Sequence, residues 1–166
     1  MSLVKMNTKG YYNSNALEKE FEYCVSKCEW WSGNGIRTDS ISGAIFDMRY
    51  VKILTGKEGG KQLYHMIVSI WRSSINRKNF TDKDNSQNTF CYLIGNEISI
   101  ILFNAGYQNA YFKHMDGNNA HLHFIINSVN FGTGKKMSGI GGYAKKIFYH
   151  LRNAYPFLKW EGPYFV

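Results

Sequence analysis

The sequence predicts an α/β protein of the α+β type, in which helices cover a largely antiparallel sheet. Three observations lead there. Some segments repeat apolar residues at helical spacing, while the segments between them are β-branched or alternate in polarity. Two of the strand-like runs are separated only by Asp116-Gly117-Asn118-Asn119, and a turn that short forces antiparallel pairing.

Taken in order, residues 15 to 28 read as a helix. Asn15 stands where a cap belongs, and Leu17, Phe21, Cys24, Val25 and Cys28 recur three and four apart. The run from 30 to 35 marks its end. A second helix is expected from 43 to about 55, closed by Gly56 and the Gly59-Gly60 breaker, followed by a strand over 63 to 71. Residues 87 to about 104 fit a helix ending before Gly106. Strands follow at 107 to 115 and 120 to 130, then a turn at Gly132-Thr133-Gly134. A last helix over 143 to 153 should stop before Pro156.

With 166 residues, 44% of them hydrophobic and 16% aromatic, the chain can fill one packed domain over 1 to 166 and is not a disordered protein. Lys and Arg outnumber Asp and Glu by 20 to 12, a net charge of +8 that suits a polyanion such as nucleic acid or simply a solvated basic surface. Cys24, Cys28 and Cys91 form an odd set with no close CxxC pair, which points to a reducing cytoplasm. The longest apolar runs, 98 to 103 and 122 to 126, fall far short of the roughly 18 to 20 residues a membrane span needs, so no membrane partner is expected.

Three histidines stand out as H-x6-H-x-H: His114, His121 and His123. Alternation puts His121 and His123 on one strand face with Ile125 and Asn127, and leaves Ala120, Leu122, Phe124 and Ile126 on the other for helix packing. If Gly117 and Asn118 are the central turn residues, counting outward pairs Asp116 with Asn119, Met115 with Ala120 and His114 with His121. That register gathers three imidazoles, the donors of many divalent metal sites. An HxH pair alone reads better as one core and one surface histidine; the third histidine tips the balance to metal. Asp116 is either a carboxylate orienting a ligand or an ordinary turn aspartate.

The run from His114 to Asn130 resembles the third motif, HxDxxNxHxHxxxN, of the relaxase/mobilisation nucleases, members of the His-hydrophobe-His (HUH) endonuclease superfamily. Gly134-Lys135-Lys136 continues the likeness. Tyr64-His65-Met66-Ile67-Val68-Ser69 looks like the family's second motif and Glu22-Tyr23-Cys24-Val25 like the tyrosine region of its first, although the asparagine-proline usual after that tyrosine is absent. The resemblance implies a five-stranded antiparallel sheet flanked by helices. It also implies a divalent metal, Mg or Mn in relatives, held by the histidines. Three imidazoles by themselves would take Zn, Ni or Mn more readily than Mg.

The implied reaction is nicking and rejoining of single-stranded DNA at an origin of transfer, in plasmid or mobile-element mobilisation and conjugation. A tyrosine becomes joined to the 5′ phosphate and a 3′ hydroxyl is released. Tyr23 is the expected nucleophile, with Tyr11 and Tyr12 as alternatives, and Asp116 is the assisting carboxylate. Ser69, Asn127, Lys135 and Lys136 are expected to contact DNA, and accessory relaxosome proteins are expected partners. His65 shares a face with Ser69 and reads equally as a site or a core histidine. Relaxases usually carry further domains, for which this length leaves no room after Val166, so the chain reads as a single nuclease domain that is either a compact protein or a truncated gene product. The rival readings are a rolling-circle initiator or transposase of the same superfamily and a DNA-binding module without turnover. A zinc hydrolase is disfavoured by the charge and by the absence of HExxH.

Overall fold

A computed structural model describes residues 1–71, 83–117 and 119–166, and the side chains of these residues except 83–86. Its strands are β1 (Ser2–Asn7), β2 (Cys28–Asn34), β3 (Leu63–Ile70), β4 (Asn109–Asp116), β5 (Asn119–Asn127) and β6 (Trp160–Phe165). The helices are α1 (Ala16–Lys27), α2 (Ile41–Leu54), α3 (Lys83–Asn104) and α4 (Ile140–Ala154), with a 3-10 turn at Pro156–Leu158. Among the described residues the sheet has six strands, in the order β2-β4-β5-β3-β1-β6, which corrects the expected five. Every pairing is antiparallel except β1 with β6.

The three strands legible in the sequence, β3, β4 and β5, sit side by side in the middle of the sheet. The others depend on them. Cys28–Asn34, read as the end of a helix, becomes strand β2 because it pairs with β4 from Cys28↔His114 to Asn34↔Asn109. Strand β6 carries Gly162 and Pro163, which argue against a central strand but are tolerated at an edge. It lies beside β1 with a bulge between Leu3 and Lys5.

The faces separate as period two requires. Met66, Val68, Leu122, Phe124 and Ile126 pack under α3 and α4, with Ile94, Ile98, Leu102, Ile147 and Leu151. Leu63, Ala110, Phe112 and Ile125 pack under α1 and α2, with Leu17, Phe21, Ala44 and Met48. Helix α2 begins two residues before the expected start, where the Ser40 side chain accepts from the Gly43 amide. Asn15 stands at the start of α1 but its side chain makes no capping hydrogen bond; the turn is held by Ala16 N–H to Asn13 and Lys19 N–H to Asn15 carbonyls. Gly106, at φ 96°, ends α3 where expected. No helix among the described residues is long and apolar enough to cross a membrane.

Candidate metal and nuclease centre

The site lies on the sheet face that α1 and α2 cover, across the three central strands. The β4-β5 register is the one the turn implies: Asp116↔Asn119, Met115↔Ala120 and His114↔His121, with Asn118 itself outside the described residues. On the other side of β5, Ser69 faces His121 and Ile67 faces His123. The His114 and His123 rings stack with centroids 4.2 Å apart, and His65 lies 5.1 Å from His123. All four imidazoles on these strands therefore share one face.

Hydrogen bonds fix the free nitrogen of His114 and link those of the other rings to one another. His114 Nε2–H donates to the Cys24 carbonyl (2.7 Å), so in the neutral ring Nδ1 keeps the lone pair. His65 Nδ1 lies 3.0 Å from the Glu20 carboxylate, which can only accept while ionised, 3.1 Å from the Tyr11 hydroxyl and 3.3 Å from the Asn7 amide nitrogen, and His65 Nε2 lies 2.9 Å from His123 Nδ1. A proton on His65 Nδ1 makes His65 Nε2 an acceptor, so His123 donates from Nδ1 and Nε2 is left as its ligand atom. His121 Nδ1 is 2.7 Å from Ser69 Oγ.

Burial holds this group neutral. It is the largest cause pushing His65 down to about 4 and His123 down to about 3, helped by neighbouring imidazoles and by Lys5 and Lys27 respectively. His114 and His121 are lowered too, again chiefly by burial, with the Asp116 carboxylate opposing the shift at His121. Neutral imidazoles offer lone pairs to a divalent ion, but among the described residues His114, His121 and His123 do not have their ligand atoms within 4.8 Å of one another, although all three share the face. Burial also pushes the Cys24 thiol up. Cys24, His65 and His123 form a buried group whose ligand atoms all lie within 4.8 Å of one another.

Tyr23 projects from α1 over this group. It is 43% exposed, its ring centroid is 6.2 Å from those of His114 and His123, and Lys27 Nζ is 4.6 Å from the ring centre. Tyr11 lies at the other end, with its hydroxyl 3.1 Å from His65 Nδ1 and its proton held more tightly by burial. Tyr12 is exposed beside Lys61. Asp116 ends β4 in the open.

The expected DNA contacts separate. Ser69 reaches His121, and Lys135 is exposed. Lys136 Nζ is turned inward, donating to the Lys61 carbonyl (2.6 Å) and Ser128 Oγ (3.1 Å). Asn127 is 0% exposed and its Nδ2 donates to the Met48 carbonyl and Gln108 Oε1, joining β5 to α2, while its Oδ1 has no partner among the described residues. Sequence reasoning missed Glu20, Cys24 and Lys27. Their only local signal was i, i+4 spacing of Glu20 with Cys24, and of Tyr23 with Lys27, on a helix already assigned an apolar face.

Residues 12–147 match the family model of relaxases, MobA/VirD2-like, nuclease domain, and the chain belongs to that family. A search of curated proteins finds no match. Among solved structures, the fold is similar to that of the MobM relaxase domain (MOBV; Mob_Pre) bound to a 26-nucleotide pMV158 oriT DNA, at 12% identity and a TM-score of 0.57, over 95% of this chain and 84% of that one.

Proposed function

We propose that this domain nicks and rejoins single-stranded DNA at an origin of transfer, with Tyr23 as nucleophile and His114, His121 and His123 as ligands of a divalent ion. The observation that carries the reading is the position of Tyr23, a half-exposed phenol edge-on to both His114 and His123. Family membership and the likeness to a relaxase domain solved with oriT DNA support the substrate class. A bound divalent ion supplies charge to offset that developing on the scissile phosphate.

The chain's own residues do the rest. The Tyr23 hydroxyl gives up its proton as its oxygen attacks phosphorus and bonds to the 5′ phosphate, while the bond to the 3′ oxygen breaks and that oxygen takes up a proton; attack by the resulting 3′ hydroxyl reverses the step. Ser69 orients His121, and the Asp116 carboxylate acts on the same ring through its charge. Glu20 through His65 fixes the His123 tautomer. Lys27, beside Tyr23, and exposed Lys135 are placed to meet backbone phosphates.

The test is incubation of labelled single-stranded oligonucleotides with the protein and Mn²⁺, scoring a protein-linked 5′ product. Tyr23→Phe should abolish the adduct while binding survives, and His121→Ala should impair cleavage, with partial recovery at high Mn²⁺. An adduct that persists in Tyr23→Phe moves the nucleophile to Tyr11 or Tyr12. No adduct from the unaltered protein across sequences and metals would leave a DNA-binding module without turnover.

A further inference from the structure

We infer that Cys24, His65 and His123 form a second, inner site for a thiophilic divalent ion of the zinc class, sharing His123 with the triad and so excluding the ion that supports nicking. The site itself rests on geometry alone; only its effect on nicking rests on the proposed function.

The three ligand atoms are buried and lie within 4.8 Å of one another. Around one tetrahedral ion, two imidazole nitrogens stand about 3.3 Å apart and a nitrogen and a thiolate sulfur about 3.5 Å, from bond lengths of about 2.0–2.1 and 2.3 Å. His65 Nε2 and His123 Nδ1 are now 2.9 Å apart, nearly head-on between ring centroids 5.1 Å apart, so sharing one ion requires the rings to part by a few tenths of an ångström and to swing until both lone pairs turn off the line between them. The backing is in place as well. Glu20, one helical turn before Cys24, holds His65 Nδ1 at 3.0 Å, which is the carboxylate-histidine support of protein metal sites. The bond from His114 Nε2–H to the Cys24 carbonyl ties this turn of α1 to β4. A mixed sulfur and nitrogen set selects zinc-like ions over magnesium.

Proton balance makes the two positions exclusive. Binding at the inner site sends the Cys24 thiol proton to solvent and leaves a thiolate on the ion. In the tautomer that carries its one proton on Nδ1, His123 moves that proton to Nε2 as Nδ1 takes the ion, and Nε2 is the atom the triad would need. Zinc at the inner site therefore removes one of the three outer ligands.

The test uses Co²⁺ as the probe, added to the full chain without DNA. A near-ultraviolet sulfur-to-cobalt band is expected in the unaltered protein and in Cys28→Ser, and its absence is expected in Cys24→Ser. His65→Gln removes a ligand and should weaken Co²⁺ binding by at least the roughly tenfold that losing a ligand's supporting partner costs. It provides the reading if Cys24→Ser fails to fold. No sulfur band in the unaltered protein, or a band that survives Cys24→Ser, overturns the inference. In the nicking assay, Zn²⁺ should suppress the Mn²⁺-supported adduct, and Cys24→Ser should relieve that suppression. If no adduct forms with any metal, the nuclease reading fails while the cobalt spectrum still decides the inner site.

Discussion

Residue by residue, the chain accepts unfavourable burial on the α1-α2 side of its sheet. Lys52 is only 2% exposed and its Nζ donates to the Gln62 carbonyl (2.6 Å) and Oε1 (3.2 Å), with no carboxylate among these partners. Burial is the main cause that lowers it to about 7, with Lys136 and Arg49 adding to the shift and Glu18 opposing it. The unfolded chain, with lysine near about 10.4, binds more protons than the folded one between that value and about 7. Stability should therefore rise with pH across that window, with a slope of at most about 1.4 kcal/mol per pH unit from this group. Urea unfolding from pH 7 to 10 checks this: Lys52→Met should flatten the rise, and an unchanged slope would assign it to other groups. Spacing predicts Lys52 only as a helix residue, because its burial depends on the chain that returns to cover it.

Elements are held in place by close backbone approach as much as by apolar area. Strand β2 joins β4 at Gly33, where an added Cβ would run into the Asn109 carbonyl oxygen and come within 2.8 Å of Ile36 Cδ1 and 3.1 Å of Ala110 Cα. Gly33→Ala must push the strands apart, and overpacking of this kind costs about 1–3 kcal/mol. Gly59→Ala, with nothing within 4 Å and no positive φ, is the matched control and should leave Tm unchanged. Equal melting of the two variants would mean that β2 yields freely. Since Cys28 at the far end of β2 pairs with His114, loosening β2 should also weaken metal binding. The sequence Cys28-Glu29-Trp30-Trp31-Ser32-Gly33-Asn34 carries no clean alternation to announce a strand; β4 makes it one.

Across the whole molecule, a charge of +8 is distributed so that Lys27 stands beside Tyr23 and Lys5 acts on His65, while Lys136 and Lys52 are turned inward. Net charge therefore overstates the cations available to DNA. Affinity for single-stranded DNA should fall steeply with salt, each phosphate contact contributing about −0.7 to the slope of log K against log salt. Lys27→Ala should reduce the slope by about one such contact, while Tyr23→Phe should leave it unchanged. A fluorescence-anisotropy salt series reads both, and an unaltered slope in Lys27→Ala would remove that lysine from the interface.

The sequence by itself determined the central hairpin, its register and the strand face that His121 and His123 share, because a four-residue turn and a period of two are local properties. It also marked the family, chiefly through the motif in that hairpin and its continuation, with further likenesses at residues 64–69 and 22–25. Tertiary structure decided the three outer strands, each of which exists through pairing with a distant partner, and it decided the company the histidines keep. His123 meets His65 across 58 residues and His114 meets Cys24 across 90. Which nitrogen of each ring is free is set by those partners, and no spacing within one strand or helix encodes a contact made only when α1 is laid over the sheet.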